Sequence, residues 1–172
     1  VQSRKDSIWE SVNAAVKRVG GVVPEACRGD LLSEVANLVE SPTIVIGKYE
    51  DKFLGLPKDI LVMVMRKHQR YFPVYKPGSD ELLPYFVTVA NGAIDEDKVR
   101  EGNEAVIRAR FEDAQFFYEV DRKSTLEDVR PKLSGTTFQK ELGSLLDKTL
   151  RVENIVHGLA ELCRVDEEAR LV

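Results

Sequence analysis

Two short β-branched and aromatic runs most constrain what this chain can fold into: Thr43-Ile44-Val45-Ile46-Gly47 and Tyr85-Phe86-Val87-Thr88-Val89-Ala90. Each is bounded by punctuation, Pro42 and Gly47 for the first and Asn91-Gly92 for the second, and each is too short for a helix. Both read as strands of a buried sheet. A third candidate, Tyr71 to Tyr75, carries Pro73, which confines it to an edge or a bulge. The surrounding periodicity is helical. Ile8, Trp9, Val12, Ala15, Val16 and Val19 predict a helix capped by Asp6 and stopped by Gly20-Gly21. Asp30 caps a second helix, running to about Glu40, whose buried stripe is Leu31, Leu32, Val35, Leu38 and Val39. Pro57 opens a third, with Ile60, Leu61, Val64, Met65 and His68 inward, ending near Arg70. Acidic Asp95, Glu96 and Asp97 open a helical region that is strongest over 103–118, with Val106, Ile107, Phe111, Ala114, Phe117 and Tyr118 inward. Ser124 and Glu127 form a capping box ahead of a short helix that ends near Pro131. The spacing from Thr137 to Cys163 predicts one helix of roughly 26 residues, long for a compact domain. Asp166 starts another helical turn. The expected fold class is α+β: a small mixed or antiparallel sheet over 43–92, covered by helices, as a domain spanning 1–124, then a helical segment over 125–172. A last helix that stops near its start predicts that the sequence ends inside a further domain, and Val1 suggests processing or excision from something longer.

Charge and composition narrow the chemistry. The chain has 172 residues with 25 Lys+Arg against 29 Asp+Glu, a formal net charge of -4. That argues against a generally basic nucleic-acid coat protein and leaves room for a local basic face. Two cysteines, Cys27 and Cys163, cannot build a disulfide framework or a four-cysteine zinc site; they read as free buried thiols of a reducing compartment, with a pairing of the two as the alternative. No apolar run approaches the ~18 residues of a membrane span, and the polar stretch at Val1 does not read as a signal peptide. The phosphate-cradling, dinucleotide and nucleophile-elbow glycine motifs are absent. The two histidines, His68 and His157, are too far apart in sequence for their spacing to suggest a metal site. Both read first as packed or hydrogen-bonded residues.

The most pointed local feature is Arg66-Lys67-His68-Gln69-Arg70-Tyr71-Phe72. From Lys58 to Lys76 there are five Lys/Arg and one acid, Asp59, a local balance of +4. Basic side chains beside aromatics suit an RNA-contacting edge, where cations hold phosphates and rings stack on unpaired bases. A helix C-terminus enriched in cations by the macrodipole explains the same residues. Arg108 and Arg110 point to different sides of their helix, where Arg108 can meet Glu112 and Arg110 can meet Asp113 in solvated pairs.

A set of motifs then runs through the whole chain in order: Leu38-Val39-Glu40-x-Pro42, Lys52-Phe53-Leu54-x-Leu56-Pro57, His68-Gln69-Arg70-Tyr71-Phe72-Pro73-Val74, Leu82-Leu83-Pro84-Tyr85-Phe86, Val89-Ala90-Asn91, Gly102-Asn103-Glu104-Ala105-Val106, Arg108-Ala109-Arg110-x-x-Asp113-Ala114-x-Phe116-Phe117, Leu126-Glu127-Asp128 and Phe138-Gln139-x-x-Leu142-Gly143-x-x-x-Asp147-Lys148. In this order and spacing they resemble the beta subunit of bacterial-type glycyl-tRNA synthetase, which organellar versions fuse to the alpha region. Ser41 stands where the family pattern leads one to expect an aromatic.

The resemblance implies an internal piece. Residues 1–124 would be similar to the editing-module-like domain of the phenylalanyl-tRNA synthetase beta chain, and 125–172 would begin an HD-like helical domain. It implies tRNA(Gly) and the alpha subunit or alpha region as partners, no membrane, and no cofactor in this fragment. ATP and Mg would be used by the full synthetase at an active site elsewhere. The compartment would be the cytoplasm for a bacterial chain, and the chloroplast and mitochondrion for a plant-type fused chain. With no catalytic or metal residues expected, the tRNA contacts it suggests are Arg66, Lys67, Arg70 and Tyr71, oriented by His68 and Gln69, with Arg108, Arg110, Lys140 and Lys148 as secondary candidates. Asn91 and Asn103 are expected to fix turns. A vestigial deacylase domain and a purely structural inter-domain scaffold remain the alternatives.

Overall fold

The structure is a computed structural model that describes residues 2–163; the helical turn expected at Asp166 lies outside the described residues. The chain divides into two units, 1–118 and 119–172. The first is built on a three-stranded antiparallel sheet of β1 (Pro42–Lys48), β2 (Phe72–Tyr75) and β3 (Leu82–Asn91), in the order β1-β3-β2. The two β-branched runs therefore pair directly, Ile44 opposite Val89 and Ile46 opposite Val87. Pro73 sits on an edge strand, and the β2–β3 register shifts between Pro73 and Tyr75. The fold class is α+β with the sheet antiparallel.

Side chains alternate across the sheet, so each face collects its own core. On one side α1 (Gln2–Lys17) and α2 (Asp30–Leu38) bring Ile8, Val12, Val16, Leu32 and Val35 against Phe72, Val74 and Val87. On the other, α3 (Lys58–Met63), the turn Val64–His68 that follows it and α4 (Glu96–Asp121) bring Leu61, Met65, Ile107 and Phe111 against Phe86 and Tyr71. Gly47 makes the second core possible. A Cβ there would lie 2.2 Å from Phe86 Cζ, so only glycine lets that ring cross the strand.

Several helix boundaries differ from expectation. α1 begins a turn before Asp6, because its first turn is held by polar contacts to α2 rather than by apolar packing: Arg4 Nη1 donates to Ala36 O at 3.1 Å and Lys5 Nζ to Ser33 Oγ at 2.8 Å. Gly29 rather than Asp30 precedes α2, Ala36 joins the buried stripe and Leu38 is exposed. α4 starts directly at the acidic residues, and only Ile107 and Phe111 on it are fully buried; Val106 and Phe117 face out, the latter 63% exposed and edge-to-face with Phe116.

Asn91 does fix a junction, since its Oδ1 accepts from Glu40 N and Ser41 N at 2.9 Å each. Asn103 does not; it lies inside α4, where its Nδ2 donates to Val99 O at 2.6 Å and its Oδ1 accepts from the Tyr71 hydroxyl. Cys27 is buried, and burial pushes its thiol up, but Cys163 is exposed rather than buried.

The second unit corrects the sequence reading most. In place of one long helix from Thr137, there is a hairpin of β4 (Thr137–Gln139) and β5 (Gly143–Ser144), preceded by the short α5 (Leu126–Val129) and followed by α6 (Leu145–Leu162). Gly143 at φ +80° breaks the helical path. Ser144 then caps α6 reciprocally: its N–H donates to Asp147 Oδ2 at 2.8 Å, and Asp147 N donates to Ser144 Oγ at 3.2 Å. The capping box ahead of α5 is Thr125–Asp128, one residue beyond the expected Ser124–Glu127. No helix among the described residues is long and apolar enough to cross a membrane.

Two buried phenols set an alkaline limit on the first unit. Burial raises both the Tyr49 hydroxyl, which donates to Leu83 O at 3.0 Å, and the Tyr71 hydroxyl, pushed up to about 12. In the unfolded chain a phenol ionises near ~10. The stabilisation is therefore fully present below about pH 10 and is lost as the pH rises through about 12. Denaturant midpoints followed by circular dichroism are expected to fall above pH 10, and less steeply for Tyr49→Phe than for the wild type.

Candidate nucleic-acid interface

The basic segment folds as the end of a helix. α3 passes into a π turn, Val64–His68, which inserts one residue before the chain leaves for β2. Tyr71 N closes this turn by donating to Met65 O at 2.8 Å, and Arg70 adopts φ +58°, the left-handed conformation that ends the helix. The inserted residue rotates His68 outward, so it is exposed rather than on the inner side. Lys67 is also exposed, while Arg66 and Gln69 are half-buried.

Most of the local positive charge is answered by carboxylates, two of them from remote positions. Arg70 Nε pairs with Glu34, Lys58 with Asp80, and Lys76 with Glu81 at 3.5 Å. Arg66 and Lys67 have no ion-pair partner among the described residues; they border a cleft of ≈ 450 Å³ shared with Asp30, Glu34 and Asp59. Tyr71 drops out of the expected contact set. It is 3% exposed and stacks on Phe86 with ring centroids 4.6 Å apart, so its face is not open to a base.

The secondary candidates fall into separate places. Arg108 turns to Glu50 at 3.4 Å instead of Glu112 one turn on. Glu50 also accepts from Lys52 at 2.9 Å, and these cations hold its carboxyl below the usual carboxylate range. Arg110 is exposed and has no ion pair among the described residues, Asp113 included. In the second unit Lys140 is exposed in the β4–β5 turn, and Lys148, on α6, places Nζ 4.5 Å from the centroid of Phe138. The Phe138 ring is 41% exposed. The single helix expected from Thr137 to Cys163 would have taken in this position. The signal that could have found it was Gly143-Ser144 followed by Asp147, a glycine break and cap that turns the preceding residues into a hairpin. No group of three or more metal-ligating side chains gathers among the described residues.

An α+β unit with cations at its helix–sheet junction, followed by a capped hairpin and helix, carries the family pattern from end to end, and the chain belongs to the glycyl-tRNA synthetase beta subunit family, whose description matches residues 1–172. It is 49% identical over 170 residues to "Glycine--tRNA ligase, chloroplastic/mitochondrial 2" of Arabidopsis thaliana, covering 98% of this chain and 16% of that protein. It is 46% identical over 168 residues to a glycine–tRNA ligase beta subunit of Listeria monocytogenes, covering 97% of this chain and 24% of the relative. It is 41% identical over 172 residues to that of Trichodesmium erythraeum, with 97% and 24% covered. The chain thus spans a quarter or less of the length of these relatives.

Proposed function

We propose that this chain supplies a tRNA-binding portion of a glycine–tRNA ligase. It acts with the alpha subunit or alpha region and supports the ATP-dependent attachment of glycine to tRNA(Gly) at an active site located elsewhere. Family membership supports the assignment, and one observation carries the binding role: the exposed Phe138 ring with the Lys148 ammonium over it. Lys148 lies over the ring, so the part of Phe138 it leaves exposed meets an unpaired base while the ammonium meets that nucleotide's phosphate. Arg66 and Lys67, without an ion pair among the described residues, add phosphate contacts that position RNA without reading its sequence; Arg110 and Lys140 are available in the same way.

A salt titration of tRNA binding by a full-length family chain carrying this region tests the reading. Affinity is expected to fall steeply with salt. Arg66→Ala with Lys67→Ala is expected to reduce the slope of log K against log salt by about 1–2. A flat salt dependence in the wild type would sink the proposal.

A second reading, an inter-domain scaffold, is favoured by one feature. Val152, Ile155, Val156, Leu159 and Leu162 form an exposed apolar stripe along α6. Here the occupant would be another part of the longer polypeptide. Full tRNA affinity in a variant lacking the Phe138 and Lys148 side chains would support this reading over the first.

A further inference from the structure

The sheet of the first unit has two edges, and they are finished differently. At β2, Pro73 has no N–H to offer. Tyr75 is fully occupied, since Val22 N donates to Tyr75 O at 2.9 Å and Tyr75 N donates to Val22 O at 2.8 Å. That edge is closed.

At β1, two bonds show which residues face β3: Tyr49 N donates to Pro84 O at 3.0 Å, and Gly92 N donates to Ser41 O at 2.7 Å. The antiparallel register carries this parity through the strand, so odd-numbered residues bond to β3 and even-numbered ones turn their N–H and C=O outward. Lys48 N–H is satisfied by Glu104 Oε1 at 2.8 Å. The outward groups of Ile44 and Ile46 have no partner among the described residues. They border a groove of ≈ 410 Å³ walled by Ala14, Ala15 and Arg18 of α1 and by Arg100 of α4. Pro42 and Lys48 guard the two ends of β1; between them Thr43 to Gly47 carry no charge and no proline, which leaves the middle of the edge open to pairing.

We infer that an extended segment of the longer family polypeptide, outside these 172 residues, adds to β1 as a fourth strand and bonds to the main chain of Ile44 and Ile46. The choice of occupant rests on length. The matched relatives are several times longer than this chain, which covers 16% of one and 24% of another. A segment tethered in the same chain pairs intramolecularly, at an effective concentration set by its linker, which a free partner must match. Main-chain bonds supply the affinity, and the small walls at Ala14 and Ala15 leave room for alternate side chains.

Amide hydrogen exchange on a full-length family chain carrying this region, without its alpha subunit, tests this. The Ile44 and Ile46 amides are expected to exchange at least about tenfold more slowly than unprotected peptide. Ile46→Pro, which removes an outward N–H and leaves the β3 ladder intact, is expected to abolish the protection at Ile44. Exchange of both wild-type amides at unprotected rates overturns the inference. Protection that appears only with the alpha subunit assigns the edge to a different chain and overturns it too, as does protection that grows with protein concentration, the mark of a second copy. The wild-type measurement decides the matter even if the proline variant does not fold.

Discussion

Replacing Phe86 by alanine is expected to destabilise the first unit by about 3–5 kcal/mol, the range for removing a fully buried phenylalanine. Phe86 lies in the central strand, with no exposed surface, stacked on Tyr71 and crossing Gly47. Its loss opens a cavity between β1, α3 and α4, and the neighbours that would have to collapse into it are ring systems held by their own contacts: Tyr49 packs edge-to-face on Phe111 at 5.0 Å, and Phe53 tilts against Phe111 at 5.4 Å. Equilibrium denaturation monitored by circular dichroism reads the effect. A cost below about 1 kcal/mol would mean that the core relaxes around the gap.

Phe138→Ala combined with Lys148→Ala is expected to weaken tRNA binding by one to two orders of magnitude, from the loss of about 1–3 kcal/mol of base stacking and one phosphate contact. Phe138 is 41% exposed, Lys148 is exposed, and neither supports the Ser144–Asp147 cap, so the fold is expected to survive. By contrast, Arg70→Ala is expected to change affinity less than Arg66→Ala, because Arg70 is already paired with Glu34. Filter-binding isotherms at two salt concentrations separate the stacking loss, which is insensitive to salt, from the ionic loss.

The sheet was legible because its signals are local. A β-branched run between proline and glycine leaves little choice, and Pro73 correctly places β2 at an edge. The hairpin over 137–144 was hidden because Phe138, Leu142, Leu145 and Leu146 keep helical spacing straight across the turn, so periodicity outvoted one glycine and one capping serine. In the basic segment, the cations were visible but not their partners. Glu34 lies 36 residues from Arg70 and Asp80 lies 22 from Lys58, and only the folded sheet brings them together. Tyr71 was misread for a similar reason. Its neighbours in sequence are cations, while its neighbours in space are Phe86 and Asn103.

The π turn at the end of α3 gives this surface an evolutionary degree of freedom. Met65 and Tyr71 anchor the turn from either side in the core, so losing one residue between them would turn the positions beyond the deletion by about 100° relative to Met65. Such a change would re-aim the exposed charges while leaving the buried residues in place.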